Sequence, residues 1–515
     1  PPPNITTNPG TDPATPNEPG VAFPLADAVE FTMFTSMFDS NTKIYTTMAD
    51  HPVIKRMQEL TNVSVKFQHP VNGSEEFALM LTSQDYTDVF GMTNSQFSAT
   101  SLYQDDTIIN LSDLIDEYMP NYKAIVSANE SLAKDAKDDN GDNLLIYTVS
   151  RTVPRSWGGL LVRQDLLDSA GLGIPETYAD WETAGLAFKD MGIETPIVIP
   201  GTGSNTYFNT FESGFGIGAR FYRDGITVKY GPMEPGYKEY LETMNSWYKQ
   251  GIVHSDFAAA TEFVTQLGMP EDRAKFYNGQ IGACVIDSAH LAGQLAELGV
   301  TTISEMYIAS AWAPVKIKGD PIPYSTVVGS GRISTGYAIS VAATDEKVPV
   351  IMSYFDYLYT EEGSILGSYG IEDDSFYYDT EGNPHYTDKI NGSAYDSVNV
   401  FHIYDYSLLQ FPFLNYDREI IQERDAEIQD MQIKWIVEEA PMSALPSLSL
   451  SADESSQYSS IANDADTYVM EMSVKFIMGT ESFDNYDTML NTLKGMGIEA
   501  AIAINQTALD RYNAR

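Results

Sequence analysis

Six histidines (His51, His69, His254, His290, His385 and His402), one cysteine and 72 acidic residues are the side chains from which a catalyst or metal centre would have to be built. The histidines make no H-x-H or H-E-x-x-H pair, so the spacing that lets two imidazoles share a zinc ion is missing. Cys284 lies in "GQIGACVIDSAHL" between apolar neighbours, the pattern of a buried strand rather than of a nucleophile. No G-x-S-x-G elbow occurs. "GTGSNT" (201–206) follows an apolar run, yet it has neither the lysine of a P-loop nor the full G-x-G-x-x-G fingerprint. Two acidic stretches, "DAKDDNGDNLLIY" and "DTEGNPHY", have the composition of calcium loops. With Gly141 as sixth residue of such a loop, Ala136 falls first and Tyr147 twelfth, where ligands are required. Both stretches read better as hairpin turns in which Asn or Gly accepts positive φ. A glycosidase pair could hide among so many carboxylates, but nothing points to one. The pattern favours binding over chemistry, with no catalytic residue, metal or cofactor assigned.

The charge balance narrows what could be bound. Thirty basic residues against 72 acidic ones leave a net charge of −42. That field opposes nucleic acids, anionic lipid surfaces and polyanionic substrates, and leaves neutral or cationic ligands. The acids are scattered, as on a solvated surface. With 515 residues, 43% of them hydrophobic, the chain can bury a large core and is expected to form at least two lobes. One cysteine allows no internal disulfide, and no apolar run approaches the roughly 20 residues of a membrane span.

The elements that must carry any site follow from periodicity. "VEFTMFT" (29–35), "VSVKFQ" (63–68) and "DVFGMT" (88–93) read as strands. Between them, "HPVIKRMQELTNV" aligns Val53, Ile54, Met57 and Leu60, and "SEEFALMLTS" aligns Phe77, Met80 and Leu81, each on one helical face. That rhythm is the signature of a parallel sheet with crossover helices. It returns in "WGGLLVRQDLLDSAG", "ETYADWETAGLAFKDMG", "TPIVIPGTG" and "IGACVI" (281–286). The helix "PGYKEYLETMNSWYKQG" has a core stripe of Tyr237, Tyr240, Leu241, Met244, Trp247 and Tyr248. The last 65 residues read as three helices, the first opened by a capping box from Ser451 to Glu454 and closed at Gly479. By contrast, residues 1–27 are rich in Pro, Thr and Asn and read as a disordered tether.

In order and spacing, four blocks resemble the extracellular solute-binding proteins (family 1) of carbohydrate ABC transporters, in their long lipoprotein branch from Gram-positive bacteria. These are "LLVRQDLLDSAGLGIPETYADWETAGLAFKDMG", "YLETMNSWYKQGIVHSDF", "AWAPVKIKG" with "GSGRISTGYAISVAATDEKVPVIMSYFDYLYTEEG", and "FDNYDTMLNTLKGMGIEAAIAINQTALDRY". Tyr486 departs from the tryptophan frequent in that branch. The resemblance implies an α/β, two-lobed periplasmic-binding-protein-like fold with hinge crossings and a helical C-terminal extension. Lobe one would be 28–149 plus 316–368, and lobe two 150–315 plus 369–515, with crossings near 148–156, 311–316 and 367–373. The aromatic stretch "YDYSLLQFPFLNY" (404–416) would then belong to lobe two.

The implied function is capture of a neutral oligosaccharide between the lobes by hinge closure and its delivery to the permease subunits of an ABC importer. The chain would act as a monomer, on the outside of a Gram-positive cell. It would meet the membrane only through a lipid anchor upstream of the tether, whose first Pro-rich stretch of about 20 residues could reach roughly 60 Å at about 3.1 Å per residue. In such a fold, ligand meets the carboxyl ends of strands and the crossings. That geometry nominates Phe38, Asp39, Asn94, Arg151, Arg155, Trp157, Asn205, Phe208, Asp287, His290, Trp312 and Arg332 as ligand-binding residues. Trp181, Trp247 and Trp435, within helical patterns, read as core. Two alternatives stay open at this point: a secreted glycan-active hydrolase, and a peptide-binding or sensor module on the same fold.

Overall fold

Strand pairing divides the chain into two bodies. The computed structural model describes residues 20–37, 39–92, 98–153, 156, 158–199, 211–254, 270–287, 291, 298, 300, 302–325, 327, 329–391, 405–408, 411–416, 426–437 and 439–515. The strands described, in chain order, are β1 (Val29–Phe34), β2 (Val63–Gln68), β3 (Val89–Gly91), β4 (Ile146–Ser150), β5 (Gly158–Arg163), β6 (Thr195–Ile197), β7 (Phe221–Asp224), β8 (Thr227–Tyr230), β9 (Ile281–Asp287), β10 (Ile308–Ser310), β11 (Tyr324–Ser325), β12 (Ile333–Ile339), β13 (Phe376–Tyr378), β14 (Pro384–Tyr386), β15 (Leu414–Asn415) and β16 (Met442–Ala444).

The first body is built on a six-stranded sheet of order β15-β4-β12-β3-β1-β2. β1 pairs in parallel with β2 and β3, β15 in parallel with β4, and β12 runs against both β3 and β4. Alternation along β1 sends Phe31 and Met33 into a core shared with Val53 and Met57 and with the buried helix Val348–Tyr357. Pro52 opens the helix Pro52–Thr61, where its missing N–H costs nothing, and Asn62 closes it at φ 58°. Each large apolar side chain fully buried here contributes about 1.5–3 kcal/mol before the cost of ordering the chain.

In the second body there are two four-stranded sheets, β10-β5-β9-β6 and β11-β16-β7-β8. Leu160 and Val162 of β5 share a core with Trp181, with the Tyr237–Trp247 stripe of helix Pro235–Gln250, and with the three final helices. Those helices are Ala452–Met478, Tyr486–Gly495 and Ile498–Ala514; the first carries the expected capping box and ends at Gly479, φ 72°. Tyr486 is buried and packs against Phe476. Cys284 is fully buried in β9, and burial holds its thiol well above the ordinary range. No helix among the described residues is long and apolar enough to cross a membrane.

Two segments sit in a different body from the one expected. Residues 404–416, assigned to lobe two, supply β15 to the first sheet, and Leu408, Phe411 and Phe413 to its core. Tyr369, Phe376, Tyr386 and Tyr416 form one aromatic cluster beside that sheet, so the chain does not leave the first body near 367–373. Conversely, Tyr324–Ser325, assigned to lobe one, pairs with β16 of the second body. Val315 bridges Thr177 there, which moves the return crossing from 311–316 to the stretch between β11 and β12. In both cases a two-residue strand, too short to show periodicity, is fixed by a partner more than 100 residues away.

Both acidic stretches form closed turns. The Asp138 carboxylate accepts the amides of Asn140 (2.8 Å) and Asp142 (3.0 Å), with Gly141 at φ 85°. Asp379 accepts the amides of Glu381 and Asn383 at the tip of the β13–β14 hairpin, and these bonds hold its pKa well below the usual carboxylate range.

The bodies are also joined by a polar clasp. From the last helix, Tyr512 donates to Asp135 (2.6 Å), while the Arg515 guanidinium meets Asp139 at 2.7 Å with its side chain 2% exposed. Asp139 also receives Arg511, which pairs in addition with Glu454 (2.8 Å). Asp135 belongs to the helix Glu130–Asp135, whose Leu132 lies in the first core, and its second oxygen accepts the Ser330 amide on the return crossing (2.7 Å).

Candidate functional site

The strand directions place the site. β1, β2, β3, β4 and β15 all run one way, so their carboxyl ends line a single edge of the first sheet. The chain departs from that edge after β4 and after β15, and returns to it at the start of β12. In the second body, β6 and β9 are parallel and β5 opposes both β9 and β10. The carboxyl ends of β6, β9 and β10 therefore share an edge with the amino end of β5, where the chain arrives from the first body. Two such edges facing a set of crossings form the geometry of an interlobe cleft.

At the first edge the crossings are tied together by the backbone. The Ser150 amide donates to the Arg332 carbonyl (2.8 Å), and Arg332 Nε returns a bond to the Ser150 carbonyl (2.7 Å). The Arg151 amide donates to the Asn415 carbonyl (2.8 Å), and its exposed guanidinium lies 4.6 Å above the Tyr416 ring. Tyr416 in turn donates to Glu361 (2.7 Å), and burial pushes its phenol well above the ordinary range. Arg332 is partly buried, and desolvation lowers its pKa.

Further along that edge, His69 follows β2. Its Nε2 accepts the Met48 amide (3.0 Å), so Nδ1 carries the proton and donates to the Thr35 carbonyl just beyond β1 (2.8 Å). Burial lowers its pKa, and its ring stacks on Phe67 at 5.4 Å. The neutral imidazole thus ties the ends of β1 and β2 together. Asn41 donates to Asp405 (3.3 Å) and Tyr45 to the Asp405 carbonyl (2.9 Å), which brings the turn after β1 against the 405–408 segment.

At the second edge, Asp287 ends β9 opposite Gly158, the first residue of β5. Trp312 continues β10 and is 38% exposed, with Lys434 Nζ 5.8 Å from its ring centre. Lys434 donates to the Ser310 carbonyl (2.7 Å), and burial lowers its pKa. Trp435 is buried as expected, but against the site-bearing strand: its indole donates to the Ala311 carbonyl (3.2 Å), and a Cβ on Gly159 would lie 2.2 Å from its ring. A cavity of about 440 Å³ runs along the whole of β10, from Gln164 and Tyr307 at its start to Ser310 and Lys434 at its carboxyl end.

Of the nominated residues, the structure brings Arg151 and Arg332 together at the crossings and sets Trp312 on the edge of the second sheet. Asp39 opens the short helix Asp39–Thr42 and Asp287 closes β9 by backbone position. Phe38, Asn94, Arg155, Trp157, Asn205, Phe208 and His290 lie outside the described residues. Tyr416 and His69 are not among the nominated residues, although each stands directly after a strand, the same signal used for the others; Trp435, read as core, is buried against the strand that leads to Trp312. Among the described residues no group of three or more His, Cys, Asp or Glu could hold a metal ion.

Solved structures share this arrangement over nearly their whole length. A structure of the alginate-binding protein AlgQ2, without calcium ion, superposes with a TM-score of 0.69, covering 94% of this chain and 99% of its own at 21% identity. An ABC-transporter-associated solute-binding protein from Bifidobacterium longum infantis, described as HMO-binding, gives 0.69 over 95% and 99% at 15% identity. The Streptococcus pneumoniae substrate-binding protein FusA, in complex with kestose, gives 0.68 over 94% and 99% at 16% identity. The chain has the two-lobed fold of solute-binding proteins. Among curated proteins, Lipoprotein LipO of Bacillus subtilis (strain 168) is 23% identical over 275 residues. That match spans 50% of this chain and 50% of LipO. No family model matches the chain.

Proposed function

We propose that this chain is the solute-capturing component of an ABC importer for oligosaccharides. The observation that carries the reading is superposition over at least 94% of the chain on proteins whose descriptions name alginate, HMO and kestose as ligands. The crossings support it: among the described residues they join the bodies through the backbone, and the side-chain clasp of Tyr512, Arg511 and Arg515 on Asp135 and Asp139 is the further tie that a rigid-body closure must pivot about or bend. The lobes in this reading are about 28–150 with 333–416, and 158–325 with 426–515. Ligand enters between their facing edges and contacts Arg151 and Arg332 at the hinge and Trp312 on the second lobe. The residues from the loops after β1, β3, β6 and β9 (Phe38, Asp39, Asn94, Asn205, Phe208, Asp287 and His290), with Arg155 and Trp157 on the first crossing, complete the cleft. Closure stabilises the bound form for presentation to permease subunits outside the cell. The expected tether of 1–27 is shortened at its end, because the Val21 amide donates to Ser353, the Leu25 amide donates to the Thr61 carbonyl, and Phe23 and Leu25 pack on the first core; the residues before Gly20 are left as the tether to a lipid anchor in this reading. The match to a lipoprotein supports that location.

The test is thermal unfolding against an oligosaccharide panel with monosaccharides and basic peptides alongside. A ligand at 100 times its dissociation constant adds about 2.7 kcal/mol. Stabilisation by a glycan without turnover supports the proposal; release of reducing ends from that glycan, or a response to peptides alone, contradicts it.

A further inference from the structure

Arginines in this acidic chain generally have acids beside them. Arg56, Arg163, Arg220, Arg511 and Arg515 each hold a carboxylate at 2.5–2.9 Å. Arg223, in β7, spends its Nε on Ser443 Oγ. Arg151 and Arg332 differ in kind. They stand together at the hinge end of the cleft, and neither has a carboxylate partner among the described residues. The Arg332 guanidinium donates from Nε to the Ser150 carbonyl, and the Nη1/Nη2 end of its fork has no acceptor among the described residues. Arg151 is stacked on Tyr416 one strand away, a lateral spacing of about 5 Å. Partial burial of Arg332 penalises its charge, and no acid among the described residues offsets that penalty. An anion held there would.

We propose that the ligand carries a carboxylate, as on a uronic-acid residue, received by the free fork of Arg332 with Arg151 beside it. The inference rests on the solute-binding reading and replaces the neutral ligand expected from net charge. The two are compatible in physical terms. A net charge of −42 repels a polyanion at long range, but at physiological salt that field is screened within about 8 Å. One or a few acid groups then feel mainly the two uncompensated guanidinium groups. A planar carboxylate matches the two parallel donors of a guanidinium end, whereas a hydroxyl uses only one.

Calorimetric titration tests this with oligogalacturonides of two to four residues, their methyl esters, sulfated oligosaccharides and neutral oligosaccharides of equal length. Wild type, Arg332→Gln, Arg332→Lys and Arg151→Gln are compared, with each variant's melting temperature recorded. The expected result is binding of the free acid on the order of 10- to 100-fold tighter than its ester, weakening with salt. Arg332→Gln binds acid and ester alike, Arg332→Lys recovers part of the difference, and Arg151→Gln reduces it. Equal affinity for acid and ester in wild type, or preference for neutral or sulfated glycans, overturns the carboxylate while leaving sugar capture intact. Absence of any binding to acidic or neutral glycans overturns both readings together.

Discussion

Glu212 gives the structure a sharp test of its own. Its carboxyl is buried in the second body, held by the backbone amides of Phe211 and Glu212, and among the described residues no cation acts on it. Among the described residues Tyr178, Tyr237, Tyr240 and Tyr324 are the titratable groups that feel it, and burial keeps all four phenols neutral. Desolvation raises the Glu212 pKa from 4.5 to about 7. A carboxyl whose folded pKa is raised binds its proton more tightly when folded, so the folded state gains nothing from losing it. Stability is then full below pH 4.5, falls as pH rises to about 7, and is flat above. With about 1.4 kcal/mol per pH unit between folded and unfolded values, the loss is roughly 3 kcal/mol. Glu212→Gln keeps an uncharged acceptor of the same shape and cannot lose a proton. Melting temperatures of variant and wild type should therefore converge near pH 4.5 and separate by roughly 5–10 °C at pH 8, with the variant higher. Other titrating groups cancel in the difference. Parallel profiles from pH 4.5 to 8 would refute the assignment of a protonated, buried Glu212.

Two further substitutions probe packing and coupling. Gly159→Ala places a methyl 2.2 Å from the Trp435 ring and should cost about 1–3 kcal/mol in denaturant unfolding, with a shift in tryptophan emission; an unchanged midpoint would contradict the packing of that indole on β5. Arg515→Ala removes a 2%-exposed guanidinium from Asp139 and from two carbonyls, and should cost about 2–3 kcal/mol and split the calorimetric transition as the bodies uncouple. A single, unshifted transition would show that the clasp does not join them.

Much of this architecture was legible in the residues. The β1–helix–β2 rhythm, the Tyr237–Trp247 stripe and the Ser451–Glu454 capping box appear where periodicity and capping chemistry put them, because each is a local pattern. Failures came where the deciding partner is remote. Leu414–Asn415 has no alternation to show that it pairs with β4, and Tyr324–Ser325 none to show that it pairs with β16. The site divides along the same line. Strand ends can be counted from sequence, so Arg151, Arg332 and Trp312 were nominated. That Arg332 bonds Ser150 across 182 residues, and that neither arginine has an acid partner among the described residues, is a matter of tertiary geometry.

Small-angle X-ray scattering, with and without a saturating oligosaccharide chosen by thermal shift, tests the central claim most directly. Capture between two lobes predicts a smaller radius of gyration with sugar bound, and no reducing ends released over the measurement. Binding that leaves the radius unchanged, or that consumes the sugar, would contradict closure around a transported ligand.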